Sequence, residues 1–393
     1  MIRALTPSAF ALTVAMTANA SDTTHDVYVW QRQWTPALRD ALIETRGDFS
    51  GVRVLVAQAG RDGRWLASEA DPRAFTGDRR ARVAVVRYDG AGAAPDAAKL
   101  DAYLADLLAR WKAGGAPIAA VEIDYDCGTA RLADYAQRLH AVREALAPDV
   151  RLAITALPAW LDSSDLDVVL SAADEAVLQV HAVRNPSDGL FDSALAERWI
   201  RAFAPHARNG FRVALPAYGM RVRFDASGRA IAVESEMSVD ATIASDAKEL
   251  RAEPADVVRL LAHFAVDLPP NWRGIAWFRL PLSGDKRAWT IAALRDVIAG
   301  HVPESRLGVD IVASDNGASD LFVVNDGAAD AKALPLRITG SACVAGDAAR
   351  GWHGEAVADG WRFVPDADLR IRAGTRRAVG WVRCAGAAHA RVE

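Results

Sequence analysis

Between residues 26 and 299 the sequence alternates short β-rich runs with segments of helical period. No other feature limits the fold as strongly. The β runs are Val27–Trp30, Val52–Ala59, Arg82–Tyr88, Ile118–Tyr125, Arg151–Leu157, Ala176–Ala182, Phe211–Ala217 and Gly274–Leu280. Each is dense in Val, Ile, Leu or aromatic residues, as a parallel strand covered on both faces should be. Among the intervening segments, Asp101–Lys112 and Thr129–Ala147 are the clearest helices. In the second, Leu132, Tyr135, Leu139, Val142 and Leu146 recur at steps of three and four. Thr129 is placed as its cap and Pro148 stops it. Eight strand–helix units in about 270 residues predict an α/β fold, a (β/α)8 barrel. A doubly wound open sheet is the alternative, but it calls for a Gly-rich turn after its first strand. Here that strand runs into Gln31-Arg32-Gln33-Trp34.

Three segments are expected. Residues 1–20 have the form of a signal peptide. One Arg precedes an apolar, small-residue run, and Ala18-Asn19-Ala20 offers a small-x-small cleavage site. Residues 26–300 form the barrel. Residues 304–393 break into short alternating runs separated by Gly, Asp and Asn turns, the pattern of a small C-terminal β-sandwich. An inserted hairpin is expected after the seventh strand, with arms Met220–Phe224 and Ala230–Glu236 around Asp225-Ala226-Ser227-Gly228. A periplasmic or secreted location follows, and it suits a disulfide between Cys343 and Cys384. Cys127 is left over and reads as a buried small hydrophobe. Later apolar runs are too short for a bilayer span, so no stable membrane insertion is expected. Lys and Arg number 46 against 50 Asp and Glu, which leaves no basic surplus for nucleic acid. The same mild negative charge points to a neutral or weakly charged ligand. No zinc-ligand spacing is present, and neither metal nor cofactor is expected. A monomer is the expected state.

In such a barrel the chemistry sits at the C-terminal ends of the strands. The fourth strand ends Glu122-Ile123-Asp124-Tyr125-Asp126. Period-two alternation puts its three acids on one face and Ile123 and Tyr125 on the other. Crowded carboxylates raise at least one pKa, which makes a proton donor available near neutral pH. The remaining strand ends supply Trp30, Gln31 and Trp34, then Tyr88 and Asp89, Trp160, Gln179 and His181, Tyr218, and finally Trp277 and Arg279. Aromatic faces beside amides and carboxylates are the ingredients of a sugar site. In the sandwich, Trp352, Trp361 and Trp381 are either stacking platforms or core, with core expected for at least two.

The fourth-strand run resembles the D-G-x-D-x-D-x-E signature of chitinase-like family-18 glycoside hydrolases, whose final Glu is the acid. In one register Gly128 falls at the acid position and the site is dead. In the other, Glu122, Asp124 and Asp126 match the last three acids, and Asp126 is the acid. The second register keeps parity, acids and aromatics together. Leu215-Pro216-Ala217-Tyr218-Gly219 is similar to that family's G-x-P-x-Y-G segment, and Gly274-Ile275-Ala276-Trp277 to its Gly-rich run into a barrel-floor Trp. The family's strand-six Met-x-Tyr-Asp is replaced by Gln179-Val180-His181-Ala182, which removes the groups that help a substrate N-acetyl attack. The whole chain, including Val27-Tyr28-Val29-Trp30-Gln31 and Trp34-Thr35-Pro36, more closely resembles the bacterial family termed domain of unknown function 3142.

The resemblance implies a glycoside hydrolase on a polysaccharide, with Asp126 as proton donor and Asp124 sharing its proton. Asp89 is then the best base or nucleophile, and Glu122 the deeper alternative. A catalytically degenerate carbohydrate-binding protein and an envelope assembly factor are the other readings.

Overall fold

The computed structural model describes residues 23–60, 64–88, 97–181, 189–234, 246–314 and 317–393. The expected leader and Asp89 lie outside them. Eight strands form the expected barrel: β1 (Thr24–Val29), β2 (Gly51–Ala59), β3 (Ala81–Tyr88), β4 (Ala120–Tyr125), β5 (Arg151–Ala156), β6 (Glu175–Gln179), β7 (Phe211–Pro216) and β8 (Trp272–Phe278). All neighbours run parallel, and β1 closes the ring by pairing with both β2 and β8. Among the described residues, seven α-helices lie between and after the strands: α1 (Pro36–Glu44), α2 (Ala97–Ala113), α3 (Leu132–Ala145), α4 (Leu166–Ser171), α5 (Ser193–Phe203), α6 (Pro254–Val266) and α7 (Ile291–Ile298). Between β2 and β3 a short antiparallel strand, Trp65–Ala67, and a 3-10 turn, Pro72–Phe75, take the place of a helix.

Local chemistry explains several of these boundaries. Thr35 caps α1 by accepting from Leu38 N–H, and Pro36 begins the helix. Asp192 accepts from Leu195 N–H at α5, and Thr290 from Ala293 N–H at α7. Thr129 does not cap α3. It begins a 3-10 turn, Thr129–Arg131, and its hydroxyl donates to Ala159 C=O. The inserted hairpin is present as Gly219–Phe224 paired with Ala230–Glu234. Asp225 organises its turn by accepting from Ser227 N–H and Arg229 N–H. A third antiparallel strand, Asp246–Arg251, completes this sheet. Its sequence, Asp-Ala-Lys-Glu-Leu-Arg, carries little strand signal.

Strand side chains facing the helices make the main core: Val27 and Val29, Ala84, Val86 and Tyr88, Val121, Ile123 and Tyr125, Val213 and Leu215, Ile275 and Trp277. The opposite faces fill the barrel, and its lower half is ionic rather than aliphatic. Arg53 on β2 is buried there. It donates to Asp26 on β1 at 3.0 Å, Glu122 on β4 at 2.5 Å and Glu175 on β6 at 2.5 Å. Arg212 on β7 adds bonds to Glu175 at 3.2 Å and lies 3.3 Å from Asp26. A Cβ at Gly51 would stand 2.4 Å from Asp26 Oδ1, so this glycine leaves the room that the carboxylate occupies. Burial opposes the charge on Glu175, but Arg53 and Arg212 hold its carboxyl below the usual range. Small interior residues, Ala214 and Ala276 with Val85 and Val177, leave space for these long side chains.

From residue 307 onward two four-stranded antiparallel sheets pack around a separate core of Leu321, Val323, Leu336, Ile338, Trp352, Phe363, Val379 and Val382. Cys343 and Cys384 form a disulfide there. Trp352 belongs to this core and Trp361 packs against it beside Phe363. Trp381 is partly exposed, with Arg383 over its ring. No described helix is long and apolar enough to cross a membrane.

Candidate active site at the mouth of the barrel

Above the ionic floor the barrel opens into a cavity of about 420 Å³. Tyr28 and Trp30 enter it from β1 and the residue beyond, Gln58 from β2, Arg87 from β3 and Asp124 from β4. Thr155 on β5, Gln179 on β6 and Phe278 on β8 complete the ring. His181, Tyr218 and Arg32 come from the loops, and Val233 from the insertion. A register shift between Leu55 and Ala57 makes Gln58 a lining residue. Without that bulge, the strand parity that turns Arg53 inward would send Gln58 to the helices.

The cavity has two unlike walls. One is aromatic. Phe278 packs against Trp30 at 5.0 Å, Tyr218 at 5.2 Å and His181 at 5.4 Å between ring centres. The other is polar, formed by Arg32, Gln58, Arg87, Asp124, Thr155 and Gln179. Arg87 spans the two outer acids of β4. It donates to Asp124 Oδ2 at 2.8 Å and to both oxygens of Asp126. Asp124 is buried, and its second oxygen, Oδ1, has no hydrogen-bond partner. Burial outweighs the attraction of Arg87 and lifts its carboxyl to about 6. His181 is likewise buried. Its Nδ1 lies 3.3 Å from the Tyr218 hydroxyl, and its Nε2 has no partner. Burial lowers its pKa to about 3, so the ring is neutral.

Among the expected site residues, the structure therefore gathers Asp124, Trp30, Gln179, His181 and Tyr218 around one space. It separates the others from it. Glu122 is fully buried beneath, where it accepts from Tyr28 at 2.6 Å, Thr155 at 3.1 Å and Arg53. Asp126 stands on the rim beside Arg87, with 38% of its side chain exposed. Gly128 is exposed beyond the strand end. Trp34 packs on Phe75, Tyr88 on Tyr125, and Trp277 on His25 and Trp289, all in the core outside the barrel. Trp160 is buried in the same core and donates to Cys127 C=O at 2.9 Å. Gln31 keeps both amide atoms buried and unpartnered, and Arg279 turns to Asp285 at 3.5 Å. The reason is parity: Tyr88 and Trp277 occupy strand positions that face the helices, while their neighbours Arg87 and Phe278 face the cavity. The sequence reading missed Arg87, Phe278, Tyr28, Gln58 and Arg32. Alternation counted back from the apolar helix-facing series would have found Arg87 and Phe278.

The closed parallel barrel with its helices is a (β/α)8 fold, and solved structures similar to it share that fold. The chain is similar to the spore cortex-lytic enzyme SleL of Bacillus cereus, with 12% identity, 71% of this chain and 74% of that chain covered, and a TM-score of 0.51. It is also similar to a chitinase from Chromobacterium violaceum, with 13% identity, 71% and 98% covered, and a TM-score of 0.49. Residues 78–283 match the family described as Domain of unknown function (DUF3142), and the chain belongs to that family. Residues 310–385 match a second family, Domain of unknown function (DUF8456). No curated protein matches the chain.

Proposed function

We propose that this protein is a glycoside hydrolase whose proton donor is Asp124. One observation supports this above the rest: a buried carboxyl lines the mouth cavity, with one oxygen unpartnered and a pKa lifted to about 6. Such a group holds a proton at mildly acidic pH and has an oxygen that no other group in the protein claims. The aromatic wall suits the C–H face of a sugar ring, and the polar wall suits its hydroxyls.

This moves the acid role from Asp126 to Asp124. Asp126 sits on the rim, where Arg87 donates to both of its oxygens and leaves neither free. We assign Asp126 the task of orienting Arg87, which in turn orients Asp124. Glu122 already accepts three hydrogen bonds in the floor network, and we assign it a structural role. Asp89, next in sequence after β3, is the proposed base. Asp124 gives its proton to the glycosidic oxygen as the C–O bond breaks. Asp89 takes a proton from the water that adds to the anomeric carbon. We also propose that the leader at residues 1–20 directs export, that residues 304–393 serve as an accessory module, and that the protein acts as a monomer.

The test is a release assay on a panel of polysaccharides and oligosaccharides. Asp124→Asn should lower kcat by at least about 100-fold, the usual scale for losing a general acid. Asp126→Asn should cost less, and both variants should stay folded. An Asp124→Asn variant as active as the parent would overturn the assignment. A second reading rests on the same salt bridge. Arg87 bonds both mouth acids, an arrangement that a purely glycan-binding cavity would also tolerate. Saturable glycan binding with no product after long incubation would favour it.

A further inference from the structure

Among the described residues, the cavity wall carries one guanidinium, that of Arg32, with no carboxylate partner. Arg87 faces Asp124 and Asp126. Arg32, on the same polar wall, donates to the side-chain oxygen of Gln58 and pairs with no carboxylate among the described residues. His181 contributes no charge. With a proton on Asp124, Arg87 pairs with Asp126, and Arg32 faces no acid among the described residues. Gln58 is neutral, so it fixes the guanidinium in place without quenching its charge. The aromatic wall of Trp30 and Phe278 closes the same space.

We propose that the cavity takes a sugar bearing an anionic substituent, such as the carboxylate of a uronic acid, and that Arg32 is its anchor. The planar guanidinium matches the two oxygens of a carboxylate, sulfate or phosphate in a way that a neutral hydroxyl cannot. Charge over the whole chain leads to the opposite expectation, since 46 basic residues face 50 acidic ones. That balance, however, governs long-range steering, whereas the ligand meets the groups on the cavity wall. The inference rests on the glycan reading above and narrows its substrate class. An anion bound at Arg32 would also add negative charge to the mouth and favour the proton on Asp124.

The test uses the full chain carrying Asp124→Asn, so that ligands bind without turnover. Calorimetry compares oligogalacturonates and oligomannuronates with their carboxyl-reduced counterparts. Sulfated and phosphorylated oligosaccharides form further arms that identify the anion. The acidic sugars of at least one arm should bind about ten-fold tighter or better, as one charge-assisted hydrogen bond allows. Adding Arg32→Gln should erase the preference, and Arg32→Lys should keep part of it. Equal binding of acidic and neutral sugars, or a preference that survives Arg32→Gln, overturns the anchor role and leaves the glycan reading standing. Failure of every sugar to bind, with no product from the parent protein, removes both.

Discussion

Asp124 and its neighbours separate two jobs that adjacent carboxylates share in the sequence. Both Asp124 and Asp126 touch Arg87, but only Asp124 is buried with an oxygen free. Its raised pKa has two measurable consequences. Since the proton must be present for catalysis, kcat/KM should fall as pH rises through about 6. Stability follows the same titration. The folded state binds this proton more tightly than the unfolded chain, so stability drops as pH rises from about 4 to about 6, and the penalty is complete above that window. Asp124→Asn removes the penalty. The variant should match the parent near pH 4 and exceed it by roughly 3 kcal/mol at pH 8, the value of a shift of about two units. Denaturant titrations at the two pH values check this, and a pH-independent difference would contradict it.

At the scale of elements, the barrel strands are tied by charge as well as by backbone pairing. Arg53 reaches across the interior to carboxylates on β1, β4 and β6. Arg53→Met keeps the volume but leaves three buried acids short of their partner. It should cost about 3–5 kcal/mol, the scale of breaking a buried pair, read as a lowered Tm with loss of secondary structure at the same transition. All eight strands were legible in the sequence, because each is a β-branched or aromatic run between helical segments. Parity on β4 was legible too, because Ile123 and Tyr125 alternate with acids. What escaped was parity on the other strands. Tyr88 and Trp277 look like binding residues by type, yet their strand positions turn them toward the helices. Gln58 could not be read inward at all, since only the bulge near Val56 reverses its face. The third strand of the insertion escaped for a different reason: Asp246–Arg251 has charged residues at most positions and is held by pairing with Gly219–Phe224.

Over the whole molecule, two cores separate the barrel from the C-terminal sheets, and Arg251–Asp330 at 3.3 Å and Thr290 to Ala328 C=O at 2.9 Å link the two. The disulfide lies entirely in the second part and closes a span of 41 residues. Loop-closure entropy of that length is worth about 4 kcal/mol. Reduction, or a Cys343→Ala, Cys384→Ala double variant, should therefore lower the melting of the sandwich and leave the barrel transition in place. Calorimetry of oxidised and reduced protein would show this as one moving and one fixed transition.

The ring itself has a seam. β1 begins only two dozen residues into the chain, yet one of its two neighbours is β8, with Thr24 opposite Gly274. Until β8 has been made, β1 and β7 each expose a bare hydrogen-bonding edge, and Asp26 is brought to the network from one side alone. A growing chain therefore cannot shut this ring early. It must hold its first strand in waiting until β8, about 250 residues later, exists, a schedule set by contact distance along the sequence. The last strand, not the first, decides when the barrel locks.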